Sequence, residues 1–214
     1  MTIVLFDLDE TIIDGRVINI LALRYGFYYE LNRIRTNLKN KLLTYEEATK
    51  SIIKLLKGKN ENEIIKIVQS IPLMLNFDNM IISLKIEGFE LGIVTDGLNI
   101  ISNYFAKKFG FDYSIGHNVE ILDGKLTGNV HLVKSNKNYL NWKKEVVKRI
   151  RRDTNSKIIA VGNGDIDVPM LKEADLGIAF NATDKAKDSA DIIIKNKDMN
   201  EVLKVIELHF KKFS

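Results

Sequence analysis

The chain has 214 residues and no cysteine, with 32 Lys and Arg against 28 Asp and Glu for a formal charge of +4. That length allows a sizeable core in one domain or in a domain with an insertion, and the absence of cysteine excludes disulfides and thiolate metal sites. A hydrophobic fraction of 45% with 28% charged residues is ordinary for a soluble globular protein. Asp7 interrupts the N-terminal apolar run too early for a secretory signal, and no stretch approaches a membrane span. The sequence therefore reads as cytoplasmic, with no membrane partner. Its basic residues are spread along the chain. The tightest cluster, Lys148-Arg149-Ile150-Arg151-Arg152, ends a predicted helix, where cations favour the helix dipole and a solvated face. No nucleic-acid partner is expected.

In chain order, the apolar run Ile3-Val4-Leu5 leads into Phe6-Asp7-Leu8-Asp9-Glu10-Thr11, which reads as a buried parallel strand meeting solvent at its carboxyl end. Helical segments follow at roughly 16–25, 28–41, 44–57 and 61–70, broken at Gly26, Thr44 and Gly58. Thr44-Tyr45-Glu46-Glu47 is a capping box. This stretch, 15–71, reads as an all-helical cap inserted into a core made of 1–14 and 72–214, with Pro72 marking the return. A helix near 77–87, the strand Leu91 to Val94, and a helix near 98–109 come next. A β segment over 113–133 carries a hairpin signal at Asp123-Gly124. A helix over 139–152 leads to strand Ile158 to Val161, then a helix at 166–173, short strands near 176–179 and 191–194, and a closing helix. Strands alternating with helices predict an α/β fold, a Rossmann-like parallel sheet covered on both faces.

Open α/β sheets bind ligands at the carboxyl ends of their strands, and three of these ends carry polar residues. Asp7 and Asp9 leave the first strand on the same side. Two carboxylates so close repel each other, and a divalent cation with oxygen ligands holds such a pair most economically. The second strand ends at Thr95-Asp96-Gly97, a hydroxyl followed by flexible backbone whose N–H groups suit an anion. The strand from Ile158 ends at Gly162-Asn163-Gly164-Asp165-Ile166-Asp167, after a helix carrying Lys143-Lys144. Acid pair, hydroxyl, lysine and second acidic turn form the set needed to handle a phosphoryl group and its metal. The plainer readings are a helix cap for Thr95, Asp165 or Asp167 and a solvated side chain for Lys143. His117, His131 and His209 lack metal-ligand spacing and read as structural or solvated, and Trp142 and Phe180 as core.

In these motifs the chain resembles the haloacid dehalogenase superfamily of hydrolases, in its phosphoserine phosphatase-like branch. The family's DxDxT motif is matched by Asp7, Asp9 and Thr11, and its strand-closing Ser or Thr by Thr95. Its lysine is matched by Lys143, with Lys144 and Lys137 as alternatives, and its GDxxxD in part by Gly162, Asn163 and Asp167. The resemblance implies that Asp7 attacks phosphorus and forms an aspartyl-phosphate, while Asp9 exchanges protons with the leaving group and water. Thr95, Lys143 and backbone N–H groups near Asp96 would hold the phosphoryl oxygens. It also implies Mg²⁺ between Asp7, the carbonyl of Asp9 and Asn163, with Asp167 orienting its water.

Two positions depart from the family. Phosphoserine phosphatases carry an acid five positions after the motif threonine, where it reads the substrate's amino group; here it is Arg16. Their cap arginine for the substrate carboxylate has no counterpart, since no arginine lies between Arg35 and Arg149, although Lys50 or Lys54 could approach that role. The first acid of the last motif is Asn163, and Asp165 from the same turn could restore its charge. The expectation is a Mg²⁺-dependent phosphatase of a small phosphorylated metabolite, with Arg16 setting selectivity. The alternatives are a phosphoserine phosphatase proper with an altered cap, or a catalytically weak phosphate- or partner-binding protein of the same fold.

Overall fold

The computed structural model describes residues 1–133 and 139–210. Its chain runs β1 (Thr2–Phe6), α1 (Val17–Tyr25), α2 (Tyr28–Lys39), α3 (Tyr45–Lys54), α4 (Glu61–Gln69), α5 (Phe77–Ile86), β2 (Glu90–Leu98), α6 (Asn99–Phe109), β3 (Tyr113–Leu122) and β4 (Lys125–His131). It continues through α7 (Trp142–Thr154), β5 (Lys157–Gly162), α8 (Val168–Glu173), β6 (Leu176–Phe180), α9 (Asp184–Lys187), β7 (Ile192–Ile194) and α10 (Met199–Phe210). The strands form one sheet of order β4-β3-β2-β1-β5-β6-β7, parallel throughout except for the β3–β4 hairpin.

The period of two along β1 assigns its two faces. Ile3 and Leu5 pack with Ile158 and Ala160 of β5 against Trp142, Val146, Val147 and Ile150 of α7. Val4 and Phe6 join Ile159 and Val161 and face Met80 and Leu84 of α5 and Val202 and Ile206 of α10. Both faces of the central strands are therefore buried, which is why they read as unbroken apolar runs. The chain passes from β1 to β2 on one side and later to β5 on the other. The order thus reverses at β1, the place where such sheets open a crevice at their carboxyl ends.

The helices α1 to α4 form the insertion. Its entry and exit lie side by side: Asp14 N–H donates to Pro72 O at 2.8 Å and Met74 N–H to Ile12 O at 2.9 Å. The predicted capping box is present, with Glu47 N–H donating to Thr44 Oγ1 at 3.2 Å and Thr44 N–H to Glu47 Oε2 at 2.8 Å. The turn between α3 and α4 pairs with the β3–β4 hairpin through Gly58 N–H to Leu126 O at 2.7 Å and Leu126 N–H to Lys59 O at 2.9 Å. Among the described residues no helix is long and apolar enough to cross a membrane.

The structure departs from the sequence reading in three local places. β2 runs on past the expected Val94, through Thr95-Asp96-Gly97 to Leu98, with a break in its register against β3, so that segment is irregular strand. The helix expected from 139 begins as a tight turn, Tyr139–Asn141, before α7. The helix expected at 166–173 begins in the same way, with Asp165–Asp167 as a tight turn before α8. The four-residue α9 carries too short a pattern to read in advance.

Gly177 lies in β6, where a Cβ would meet the backbone O of Leu171 at 2.5 Å and its C at 3.1 Å. Backbone cannot rotate away as a side chain can. Gly177→Ala should therefore lower stability by about 1–3 kcal/mol, read as a shifted denaturation midpoint with an unchanged slope.

Candidate active site

At the end of β1 the chain turns at once, because the Leu8 carbonyl accepts the N–H groups of Thr11, Ile12 and Ile13. Asp7 N–H donates to Val161 O at 2.9 Å, extending the ladder to β5 by one residue and seating the carboxylate between the two strands. Asp7 is only 6% exposed. Asp9 turns toward the insertion, where its Oδ1 accepts the N–H of Val17, the first residue of α1, at 3.1 Å.

Lys143, 0% exposed, reaches in from α7. Its Nζ lies 2.6 Å from Asp7 Oδ1 and 2.5 Å from Asp167 Oδ1. The other oxygen of Asp167 accepts the N–H groups of Asn163 at 3.0 Å and Gly164 at 2.8 Å. This folding of Asp167 back over the turn requires Gly162, where a Cβ would meet Asp167 Cβ at 2.6 Å. Burial and the Asp167 carboxylate push the Asp7 carboxyl upward, against the pull of the Lys143 ammonium. Burial likewise raises Asp9 to about 6, opposed by the Val17 N–H and the charge of Arg16. Burial would lower Lys143, yet the two carboxylates outweigh it and hold the ammonium above the ordinary lysine range.

Thr95 is buried, and its Oγ1 accepts Gly97 N–H at 3.1 Å. It does not cap α6, whose N-cap residue is Leu98. The Asp96 carboxylate is occupied elsewhere: Tyr45 of α3 donates to its Oδ2 at 2.9 Å and Tyr139 to its Oδ1 at 3.1 Å. His117 Nε2 lies 3.0 Å from the same Oδ1, and His117 Nδ1 accepts Val133 N–H at 3.3 Å. Burial and Asp96 hold both tyrosine hydroxyls far above their usual range, so they stay protonated donors. What Asp96 can offer a phosphate is its backbone N–H.

The remaining candidates separate clearly. Lys144 makes a surface pair with Glu173 at 3.3 Å, and Lys137 lies outside the described residues. Asp165 points away from Asp7 toward Thr183 Oγ1 at 2.7 Å and Lys185 at 3.0 Å, which hold its carboxyl below the usual range. Asn163 is buried, with Nδ2 at 3.4 Å from Glu10 Oε2. Arg16 Nε pairs with the same Glu10 oxygen at 2.6 Å. Lys50 pairs with Glu46 at 2.7 Å, and Lys54 lies against β4 at Gly128. Trp142 and Phe180 are fully buried, as expected. His209 Nδ1 lies 2.8 Å from Val205 O, a contact within α10. Tyr45, Tyr139 and Arg35, and Glu10 toward Asn163, carry no local sequence signal of a place around the site, because these contacts join residues far apart in sequence.

The family model for haloacid dehalogenase-like hydrolase matches residues 4–172. The phosphoserine phosphatase of Methanocaldococcus jannaschii is 30% identical over 210 residues, covering 96% of this chain and 97% of its own. That of Archaeoglobus fulgidus is 29% identical over 96% of this chain and 60% of its own. A phospho-aspartyl intermediate analogue of a phosphoserine phosphatase superposes with a TM-score of 0.82 at 30% identity, covering 95% of this chain and 97% of that one. A substrate-bound phosphoserine phosphatase complex gives 0.83 at the same identity and the same coverage. The chain belongs to the haloacid dehalogenase-like hydrolase family, in its phosphoserine phosphatase-like branch.

Lys143→Met leaves Asp7 and Asp167 facing each other in a buried site without their cation. It should cost about 3–5 kcal/mol, while Lys144→Met on the surface should cost under about 1 kcal/mol. Equal shifts in the two denaturation midpoints would contradict the assignment of Lys143 as the buried partner.

Proposed function

We propose that this enzyme is a Mg²⁺-dependent phosphomonoesterase that acts on a small phosphorylated metabolite in the cytoplasm. The observation that carries this reading is the buried lysine bridging Asp7 and Asp167 at the strand ends where the sheet order reverses. The Asp7 carboxylate, kept beside an ammonium, attacks phosphorus; the ester P–O bond breaks and an aspartyl-phosphate forms on Asp7. Asp9 gives its proton to the departing alkoxide, and its raised pKa of about 6 suits both that donation and the later removal of a proton from water. Water then displaces the phosphate from Asp7. Lys143, the Thr95 hydroxyl and the backbone N–H of Asp96 meet the phosphoryl oxygens.

The donor chemistry fits a hard cation. Asp7 and Asp167 set two carboxylates against one ammonium, a negative excess that burial makes costly. Among the described residues no three acidic or histidine side chains converge as a ready cluster. Asp7, the Asp9 carbonyl and the Asn163 amide oxygen would hold the ion, with Asp167 steadying the turn through the N–H groups of Asn163 and Gly164. When bound, Mg²⁺ supplies positive charge to the phosphoryl group.

We also propose that residues 15–71 act as the cap, closing the site against macromolecules such as nucleic acid and leaving small substrates. Phosphoserine itself is the second reading, favoured by the near full-length likeness to phosphoserine phosphatases.

The purified protein should hydrolyse an aryl phosphate only with Mg²⁺ or a similar cation, and Asp7→Asn should abolish turnover while keeping its melting temperature within a few degrees. Turnover that survives in Asp7→Asn, or in excess chelator, would sink this mechanism. Asn163→Asp places a carboxylate opposite Glu10 as well as at the metal. Its gain in Mg²⁺ affinity should therefore be larger when combined with Glu10→Gln. An unchanged Mg²⁺ activation constant in both variants would remove Asn163 from the ligand set.

A further inference from the structure

Two arginines, Arg16 and Arg35, meet at the start of α1. Arg16 is the N-cap residue of α1, directly before Val17, whose N–H is bonded to Asp9. Its guanidinium is anchored through Nε to Glu10 at 2.6 Å, and among the described residues neither Nη group makes a hydrogen bond. Arg35 comes from α2 and donates through Nη2 to Asn19 Oδ1 on α1 at 2.6 Å. It is half-buried, and among the described residues its recorded partner is that neutral amide rather than a carboxylate. Burial and the charge of Arg16 both lower Arg35, while Tyr28, Asp9 and Tyr45 act in the opposite sense. Asp9 and Asp7 act on Arg16 in the same way. Asn19 N–H also donates to the Arg16 carbonyl at 3.1 Å, so Arg35 is held within one turn of Arg16 at the start of α1. A half-buried cation without a counter-charge is costly, and a pair of them repel unless an anion lies between.

We infer that Arg16 and Arg35 form a second anion-binding subsite in the cleft, which selects phosphomonoesters carrying another negative group and disfavours those carrying an ammonium. The guanidinium fork suits a carboxylate or a second phosphate equally. Glu10 does not reverse the sign, because Arg16 already neutralises it and Asn163 donates to it. The subsite rests on the phosphatase reading for its setting, since the phosphoryl end of the ligand must lie at Asp7.

Titration calorimetry with non-hydrolysable phosphonates in the presence of Mg²⁺ tests this without requiring turnover. The probes are 3-phosphonopropionate, propane-1,3-bisphosphonate, propylphosphonate and 3-aminopropylphosphonate. The first two should bind at least about 10-fold more tightly than propylphosphonate, and the amine most weakly. Whichever of the first two binds more tightly identifies the second group as carboxylate or phosphate. Arg35→Gln and Arg16→Gln should each erase most of that ratio, and Arg35→Lys should retain part of it. Equal affinities across the set, binding of none of them, or a preference that survives in the double variant would overturn the subsite. Should a variant fail to fold, the wild-type ranking alone decides. A protein that shows this ranking yet hydrolyses no phosphate ester would overturn the phosphatase reading and keep the subsite. A phosphatase without the ranking would do the reverse.

Discussion

The ammonium of Lys143 is withdrawn entirely from water, and it stays charged only because Asp7 and Asp167 lie against it at 2.6 and 2.5 Å. With both carboxylates removed the buried ammonium would be left unpaired, which is far more costly than never having buried it. Much of the local architecture follows from keeping the three together. α7 must lie flat on the sheet, which its Trp142, Val146, Val147 and Ile150 achieve against Ile3, Leu5, Ile158 and Ala160. β1 and β5 must be neighbours so that the Asp7 and Asp167 ends converge, and their ladder runs in register as far as Phe6 and Val161. The turn after β5 must fold back on itself, which Gly162 permits and the N–H groups of Asn163 and Gly164 stabilise.

A second constraint ties the insertion to the core. A carboxylate one residue after Thr95 would repel a phosphate bound there. The hydroxyls of Tyr45 and Tyr139 and the Nε2 of His117 draw Asp96 the other way. Because Tyr45 belongs to α3, the same arrangement links the insertion to the strand end that carries Thr95. The backbone pairing of Gly58 and Lys59 with Leu126 holds the far end of α3 to the β3–β4 hairpin. The polar network beneath the insertion is thus an anchor, and under the proposed function it would also shield a phosphate at Thr95 from the Asp96 charge.

Regular elements were legible where a local pattern was strong. The Thr44 capping box, the Asp123-Gly124 turn and the apolar runs of β1, β2 and β5 each carry their own short-range signal, and all appear in the structure. The choice of Lys143 over Lys144 rested on motif order, and the structure separates them by burial. The acidic turn was harder to read, since Asp165 and Asp167 differ only in which way the tight turn throws each side chain. Arg35, Tyr45 and Tyr139 carry no short-range signal of partnership. Their contacts, with Asn19, Asp96 and His117, depend on how the insertion settles on the sheet. Secondary structure is set by neighbours in sequence, whereas these contacts exist only once the tertiary fold has formed.

The two departures from the family pattern, Arg16 and Asn163, look independent in sequence but meet at one side chain. Glu10 adopts a left-handed backbone with φ of 58°, uncommon for a residue with a Cβ. Its Oε2 receives both Arg16 Nε and Asn163 Nδ2. An Asp at position 163 would set a second carboxylate where the amide now donates, and an acid at position 16 would set a third. Asn163 and Arg16 are instead the donor and the counter-charge that let Glu10 stand at the rim of a site already crowded with Asp7, Asp9 and Asp167. Each makes the other tolerable: Arg16 neutralises Glu10, and the amide of Asn163 satisfies it without adding negative charge. On the proposed roles of positions 163 and 16, the two departures are one coupled change in the charge around Glu10.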